Sequence, residues 1–168
     1  DIVVPVPDSG NAAALGFAKS LNVKFELGLV RNHYVGRTFI EPSQKIRSLG
    51  VKLKLNANQS TIQGKKIILV DDSLVRGTTS HKIVKMLYDA GAKEVHLRIA
   101  CPEIKYPDFY GIDMPSKKEL LAANMSVEEI CSYVKAKSLK FLSLDGLYKA
   151  MGFKERNKQY PQLTDHYF

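Results

Sequence analysis

The run Lys66-Ile67-Ile68-Leu69-Val70-Asp71-Asp72-Ser73-Leu74-Val75-Arg76-Gly77-Thr78-Thr79-Ser80 sets two adjacent carboxylates at the end of an apolar segment. A short glycine-bearing loop and three hydroxyl residues follow. Each part of that order suits one part of a phosphorylated sugar. Carboxylates accept hydrogen bonds from sugar hydroxyls, while loop amides and the N-terminus of a following helix receive a phosphate. Side chains alternate along a strand, so Asp71 and Asp72 point in different directions and do not form a proton-sharing dyad. They are placed to grip two hydroxyls or to face a cation through water. Gly77 permits a close backbone approach, and Thr78, Thr79 and Ser80 add hydroxyl donors. A plainer reading competes, in which Asp-Asp only terminates a strand and Thr-Thr-Ser only caps a helix. Neither G-x-x-x-x-G-K-[ST] nor G-x-G-x-x-G occurs, which excludes a Walker A loop and a dinucleotide fingerprint.

The elements that must position this run are legible from periodicity. Residues 2–7 read as a buried strand, Pro7-Asp8-Ser9-Gly10 as a turn, and residues 11–21 as a helix with Ala14, Phe17, Ala18 and Leu21 on one face. Residues 25–30 predict a second strand. Residues 31–63 hold Gly36, Pro42, Gly50 and scattered basic residues, and read as one long flexible loop with a short helix around Gln44–Leu49. Residues 65–71 predict the third strand and 79–90 a helix stopped by Gly91. Glu94–Ala100 predicts the fourth strand. Ser116 caps a short helix to about Ala123, and Ser126-Val127-Glu128-Glu129 is a capping box. Leu139–Leu142 predicts the fifth strand, with a last helix to about Met151 and a polar tail from residue 153. Alternating strands and helices imply an α/β fold: a parallel five-stranded sheet flanked by helices, with ligands at the carboxyl ends of the strands. Both Asp8-Ser9-Gly10 and Asp71-Asp72 sit at such ends. The expected organisation is one domain over residues 1–152 and a tail over 153–168.

The chain has 168 residues, 45% of them hydrophobic, enough for one sizeable core. No apolar stretch approaches the roughly 18 residues of a membrane span, so a soluble protein without a membrane partner is expected. No leader is recognisable, and Asp1 followed directly by a strand implies that the chain starts within a longer protein. The net charge of +8 admits anionic partners, although its scatter fits a solvated surface. Cys101 and Cys131 show neither metal-ligand nor disulfide-framework spacing, which points to packed thiols and a cytoplasmic setting. His33, His81, His96 and His166 lack zinc-site spacing.

The segment Ile67–Thr79 resembles the phosphoribosyl pyrophosphate (PRPP) motif of type I phosphoribosyltransferases. More narrowly, Asp-Asp-Ser-x-Val-Arg-Gly-Thr-Thr is similar to the version in the amidophosphoribosyltransferase family. Val4–Gly10 resembles the family's pyrophosphate-side loop, Tyr34–Ile40 and Val51–Asn56 its flexible loop, and Phe109–Asp113 a further signature. The resemblance covers about residues 1–152. It implies that Asp71 and Asp72 bind ribose hydroxyls or magnesium, with Ser9 as a further metal and pyrophosphate position. It implies that Ser73 and Val75, Arg76, Gly77, Thr78 and Thr79 hold the 5-phosphate, and that Tyr34, Arg37 and Lys54 lie on a loop closing over PRPP. The activity implied is displacement of pyrophosphate from C1 of PRPP by ammonia, the first step of purine nucleotide synthesis. Ammonia would come from glutamine through a glutaminase domain with an N-terminal cysteine, which this chain lacks. Mg2+ is the implied cofactor, purine nucleotides the implied inhibitors, and a homo-oligomer the implied assembly. Some family members carry an iron–sulfur cluster; Asp108 stands here where they place a cysteine, so no cluster is expected. Two rivals remain. One is a salvage phosphoribosyltransferase acting on a nucleobase, against which the narrow motif and Tyr34–Ile40 weigh. The other is a non-catalytic PRPP sensor that binds DNA, against which the absence of a helix-turn-helix pattern weighs, so no nucleic-acid partner is expected.

Overall fold

The computed structural model describes residues 1–32, 55–108, 116–159 and 161–168. The apolar runs predicted as strands pair into one parallel sheet. Its members are β1 (Ile2–Pro5), β2 (Lys24–Phe25), β5 (Lys66–Asp71), β6 (Glu94–Ile99) and β7 (Ser138–Phe141), in the order β2-β1-β5-β6-β7. The register sets Val4 opposite Leu69, Leu69 opposite Leu97 and Leu97 opposite Leu139, so large apolar side chains line up across four strands on one face. Successive side chains alternate between faces. Ile67 and Leu69 therefore enter the larger cluster with Ile83, Leu87, Ile130 and Val134, whereas Val70 joins Val3, Ala14 and Ala18 on the other face.

The helices follow their capping and spacing. Helix α1 (Asn11–Leu21) buries Ala14 and Ala18 against β1 and β5. Helix α3 (Thr78–Asp89) buries Ser80, Ile83, Val84 and Leu87, one stripe at helical spacing. Helix α5 (Val127–Val134) opens on the expected capping box. Ser126 Oγ accepts from Glu129 N at 3.2 Å while Ser126 N donates to the Glu129 carboxylate at 2.7 Å. Helix α6 (Leu144–Ala150) is capped by Ser143, whose Oγ accepts from Gly146 N at 3.0 Å.

The structure departs from the sequence reading in three places. The strand expected over 25–30 divides in two. After Phe25 the chain turns through Glu26–Gly28, where Glu26 N donates to Val3 O at 2.9 Å, and Leu29–Arg31 becomes β3 of a separate antiparallel pair with β4 (Leu55–Ala57). Residues 33–54 lie outside the described residues, and the end of the loop expected over 31–63 is structured instead, as β4 and the short helix α2 (Gln59–Ile62). Leu55 and Ile62 are buried there and anchor both to the core. Ser116 makes no side-chain cap. Its segment is a 3-10 turn, Lys117–Glu119, followed by α4 (Leu121–Asn124). The expected helix at Gln44–Leu49 lies outside the described residues. The tail lies against the body: Tyr167 O accepts from Lys105 N and Tyr106 N, and the buried Tyr148 hydroxyl donates to Asp165 Oδ2 at 2.8 Å.

Candidate active site

In this strand order the chain leaves β1 toward β2 on one side and reaches β5 on the other. The switch point, where parallel α/β sheets bind ligands, falls between the carboxyl ends of β1 and β5. Asp71 and Asp72 end β5 there, and Pro7–Gly10 leaves β1 beside them. Val6 N donates to Val70 O at 2.8 Å and Ala100 N to Asp71 O at 2.9 Å, so neighbouring chains on both sides hold the backbone under the acidic pair.

The two carboxylates have opposite environments, as alternation requires. Asp71 continues the parity of Ile67 and Leu69 and is buried; Asp72 is exposed. Burial first, and then the Asp72 charge, pushes the Asp71 carboxyl up from the ordinary range to about 8. Asp72 N donating to Asp71 Oδ1 at 2.9 Å works the other way and fixes the side chain. Asp72 turns back on its own loop, accepting from Ser73 N at 2.6 Å. Behind the pair, burial pushes the Cys101 thiol up to about 11, with both acids adding to it, so this thiol is not a ready nucleophile at neutral pH.

The loop after Asp72 is pinned by Leu74, which is buried in the main core. It reaches α3 through Gly77 in the left-handed region, at φ +67°. That conformation costs a side-chain-bearing residue strain. A Cβ at Gly77 would also stand 2.4 Å from Leu121 Cδ1. The first amides of a helix have no intrahelical acceptors. At α3 no side chain caps them and no acidic residue lies in the first turn, so the positive end of the helix is left for an external anion. Thr78 is partly exposed and Thr79 exposed, while Ser80 is buried and serves the core.

On the β1 side, Ser9 is exposed in the turn, and Gly10 lies so close to the sheet that a Cβ would stand 2.5 Å from Val70 O. Asp8 pairs with Arg31 at the end of β3. The sequence placed Asp8 at a strand end without a role and passed over Arg31, because their pairing depends on how the β3–β4 pair sits beside the sheet. The structure thus brings together Ser9, Asp71, Asp72, Ser73, Val75, Gly77, Thr78 and Thr79 around one switch point. Arg76 belongs to the same loop, but its Nε donates to Glu119 Oε1 at 3.2 Å. Tyr34, Arg37 and Lys54 lie outside the described residues, as does Phe109–Asp113. A cleft of about 620 Å3 opens instead at the end of β7, lined by Pro102, Lys105, Leu139 and Phe168 among others, and does not contain the acidic pair. Among the described residues no helix is long and apolar enough to cross a membrane.

The phosphoribosyl transferase domain family matches residues 1–111. The amidophosphoribosyltransferase of Rhizobium etli is 59% identical over 169 aligned residues, covering 100% of this chain and 34% of the relative. That of Methanocaldococcus jannaschii is 55% identical, covering 92% of this chain and 33% of the relative. Among solved structures, glutamine PRPP amidotransferase from Bacillus subtilis complexed with ADP and GMP superposes with a TM-score of 0.81 at 51% identity, covering 94% of this chain and 35% of that one. The chain therefore spans about a third of the length of the curated relatives it matches.

Proposed function

Because this chain belongs to the phosphoribosyl transferase domain family, we propose that it is the PRPP-binding portion of an amidophosphoribosyltransferase. One observation carries the reading: the Asp71–Asp72 pair, the Ser73–Gly77 loop and the uncapped start of α3 follow one another at the sheet's switch point. In this reading the amides of Gly77–Ser80, with the Thr78 and Thr79 hydroxyls, receive the 5-phosphate. Asp72 and Asp71 accept from the ribose hydroxyls, and Ser9 on the facing turn lies toward the pyrophosphate. Tyr34, Arg37 and Lys54 belong to the segment that covers bound PRPP.

The reaction forms a bond between ammonia nitrogen and C1 while the C1–oxygen bond to pyrophosphate breaks, and the nitrogen then loses a proton. Ammonia is already nucleophilic, so the demand on the protein is to hold the sugar while charge develops on the ribose ring and on pyrophosphate. Mg2+ fits the site. Asp71 and Asp72 offer hard carboxylate oxygens at the end of β5, and an ion beside them would take its other ligands from phosphate oxygens and water, as Mg2+ does. Bound there, it supplies charge neutralisation of the departing pyrophosphate. We assign no iron–sulfur cluster to this chain: its cysteines sit on separate elements, with Cys101 Sγ donating to Pro102 O at 3.2 Å and Cys131 Sγ to Ala136 O at 3.3 Å, and Asp108 pairs with His166.

The glutaminase partner function, inhibition by purine nucleotides, a homo-oligomeric assembly and a cytoplasmic setting belong to the same proposal. The complex of the Bacillus subtilis relative with ADP and GMP supports the second of these. The test is ammonia-dependent release of pyrophosphate from PRPP by the full-length protein. Asp72→Asn is expected to depress it strongly, with little change in folding because Asp72 is exposed. Unchanged turnover in both Asp71→Asn and Asp72→Asn, or turnover with free purine bases and none with ammonia, would refute the proposal.

A further inference from the structure

Resting on the phosphoribosyl reading, we propose that Glu119 is a positioning residue, and that with Arg76 it forms a strut on the far side of the phosphate loop. Three contacts from the 117–133 segment meet consecutive residues of that loop. Leu121 N donates to Val75 O at 3.0 Å. Arg76 Nε donates to Glu119 Oε1 at 3.2 Å. Leu121 and Tyr133 close on Gly77 so tightly that a Cβ there would stand 2.4 Å and 3.2 Å from their side chains. A fourth contact extends the seam into α3, where His81 Nδ1 lies 2.9 Å from Tyr133 O.

The segment is itself held firmly. Asn124 Nδ2 donates to Leu120 O at 2.7 Å and to Lys117 O at 2.9 Å, and Leu120 is fully buried. It is therefore a rigid backing against which the loop is shaped.

Peptide planarity makes that backing directional. In a trans peptide the C=O and N–H point in opposite directions. With Val75 C=O turned to Leu121, the Arg76 N–H points away from the backing. The Arg76 guanidinium goes the other way, onto Glu119. The loop thus divides its labour, with main chain toward the ligand and the arginine side chain toward the support. Glu119 is half exposed, and such a pair contributes little to global stability. Its contribution is to the aim of the loop's amides, and a misaimed donor loses its anion.

Charge exchange separates this from direct phosphate binding by Arg76. In the full-length protein, ribose 5-phosphate binding by calorimetry and KM for PRPP are measured for Glu119→Gln, Glu119→Arg, Arg76→Glu and the double exchange. The single charge reversals are expected to weaken ribose 5-phosphate about tenfold and raise KM more than they lower kcat, as coupled neighbours do. The unfolding midpoint should stay close to that of the wild type. Glu119→Gln should weaken binding less, and Arg76→Glu with Glu119→Arg should return affinity to within about threefold of the wild type. A double exchange as defective as Arg76→Glu alone would overturn the proposal, because the arginine would then be a phosphate ligand. So would wild-type affinity in both Glu119 variants. A wild type that binds neither ribose 5-phosphate nor PRPP would instead defeat the phosphoribosyl reading itself.

Discussion

Replacing Asp71 with asparagine should make the ligand-free protein more stable, by an amount that grows with pH. The carboxyl titrates near 3.8 in the unfolded chain and near 8 in the fold, because burial and the Asp72 charge both penalise its ionised form. Between those values the unfolded chain releases the proton and the folded one keeps it. The unfolded state then binds fewer protons, so stability falls as pH rises. The linkage amounts to about 1.4 kcal/mol per pH unit, which from the unfolded value to pH 7 accumulates to about 4 kcal/mol. An asparagine in this place would keep an oxygen to accept from Asp72 N, the bond that holds Asp71 at 2.9 Å, and would carry no charge to desolvate. Urea unfolding of wild type and variant from pH 4 to pH 8, in EDTA and without phosphate or PRPP, reads the difference directly, since the other carboxylates cancel. The gap should be small at pH 4 and favour the variant by up to about 4 kcal/mol at pH 7. A gap that does not change with pH, or a wild type that is the more stable at pH 7, would refute the reasoning. The same substitution should abolish most PRPP turnover. Asp71 would then be a group whose charge is costly to the empty fold and is matched only by ligand.

Gly77→Ala must place a side chain in the left-handed region and against Leu121. It should cost about 1–3 kcal/mol in unfolding and weaken ribose 5-phosphate; a variant matching the wild type in both assays would contradict this geometry. Gly10→Ala meets the backbone oxygens of Val70 and Val6 at 2.5 Å and 2.9 Å, atoms that cannot rotate away. A loss of about 3 kcal/mol or more is therefore expected by chemical denaturation. Ser126→Ala removes the capping box of α5. It should lower stability by about 1 kcal/mol, leaving PRPP kinetics unaltered.

The two central strands were legible because β1 and β5 are apolar on both faces, a pattern that survives without knowledge of neighbours, whereas β6 showed itself by alternation, with Val95, Leu97 and Ile99 buried between Glu94, His96 and Arg98. β5 reads as Ile67 to Val70 in sequence and in space. The acidic pair was legible for the same reason, since a carboxylate after such a run has to stand at a strand end. What escaped was set by contacts distant in sequence. Nothing in Phe25–Val30 announces that the chain changes sheets, because Leu29–Arg31 becomes a strand only by meeting Leu55–Ala57. Ser116 has the residue type of a cap, yet the segment it opens takes its shape from Asn124 and the buried Leu120. Arg76 carries the formal charge of a phosphate ligand, and only the position of Glu119 shows where its guanidinium goes.

The β3–β4 pair joins Arg31 directly across from Leu55, so the chain departs for residues 32–54 and returns at neighbouring points on a two-strand pedestal. Anything spliced between those two points leaves the sheet register untouched, and doubling its length would cost only about 0.6 kcal/mol of closure entropy. The fold thus has a socket beside the turn that leaves β1, where Arg31 meets Asp8, and segments of different length could be exchanged there while the five-stranded sheet stays the same.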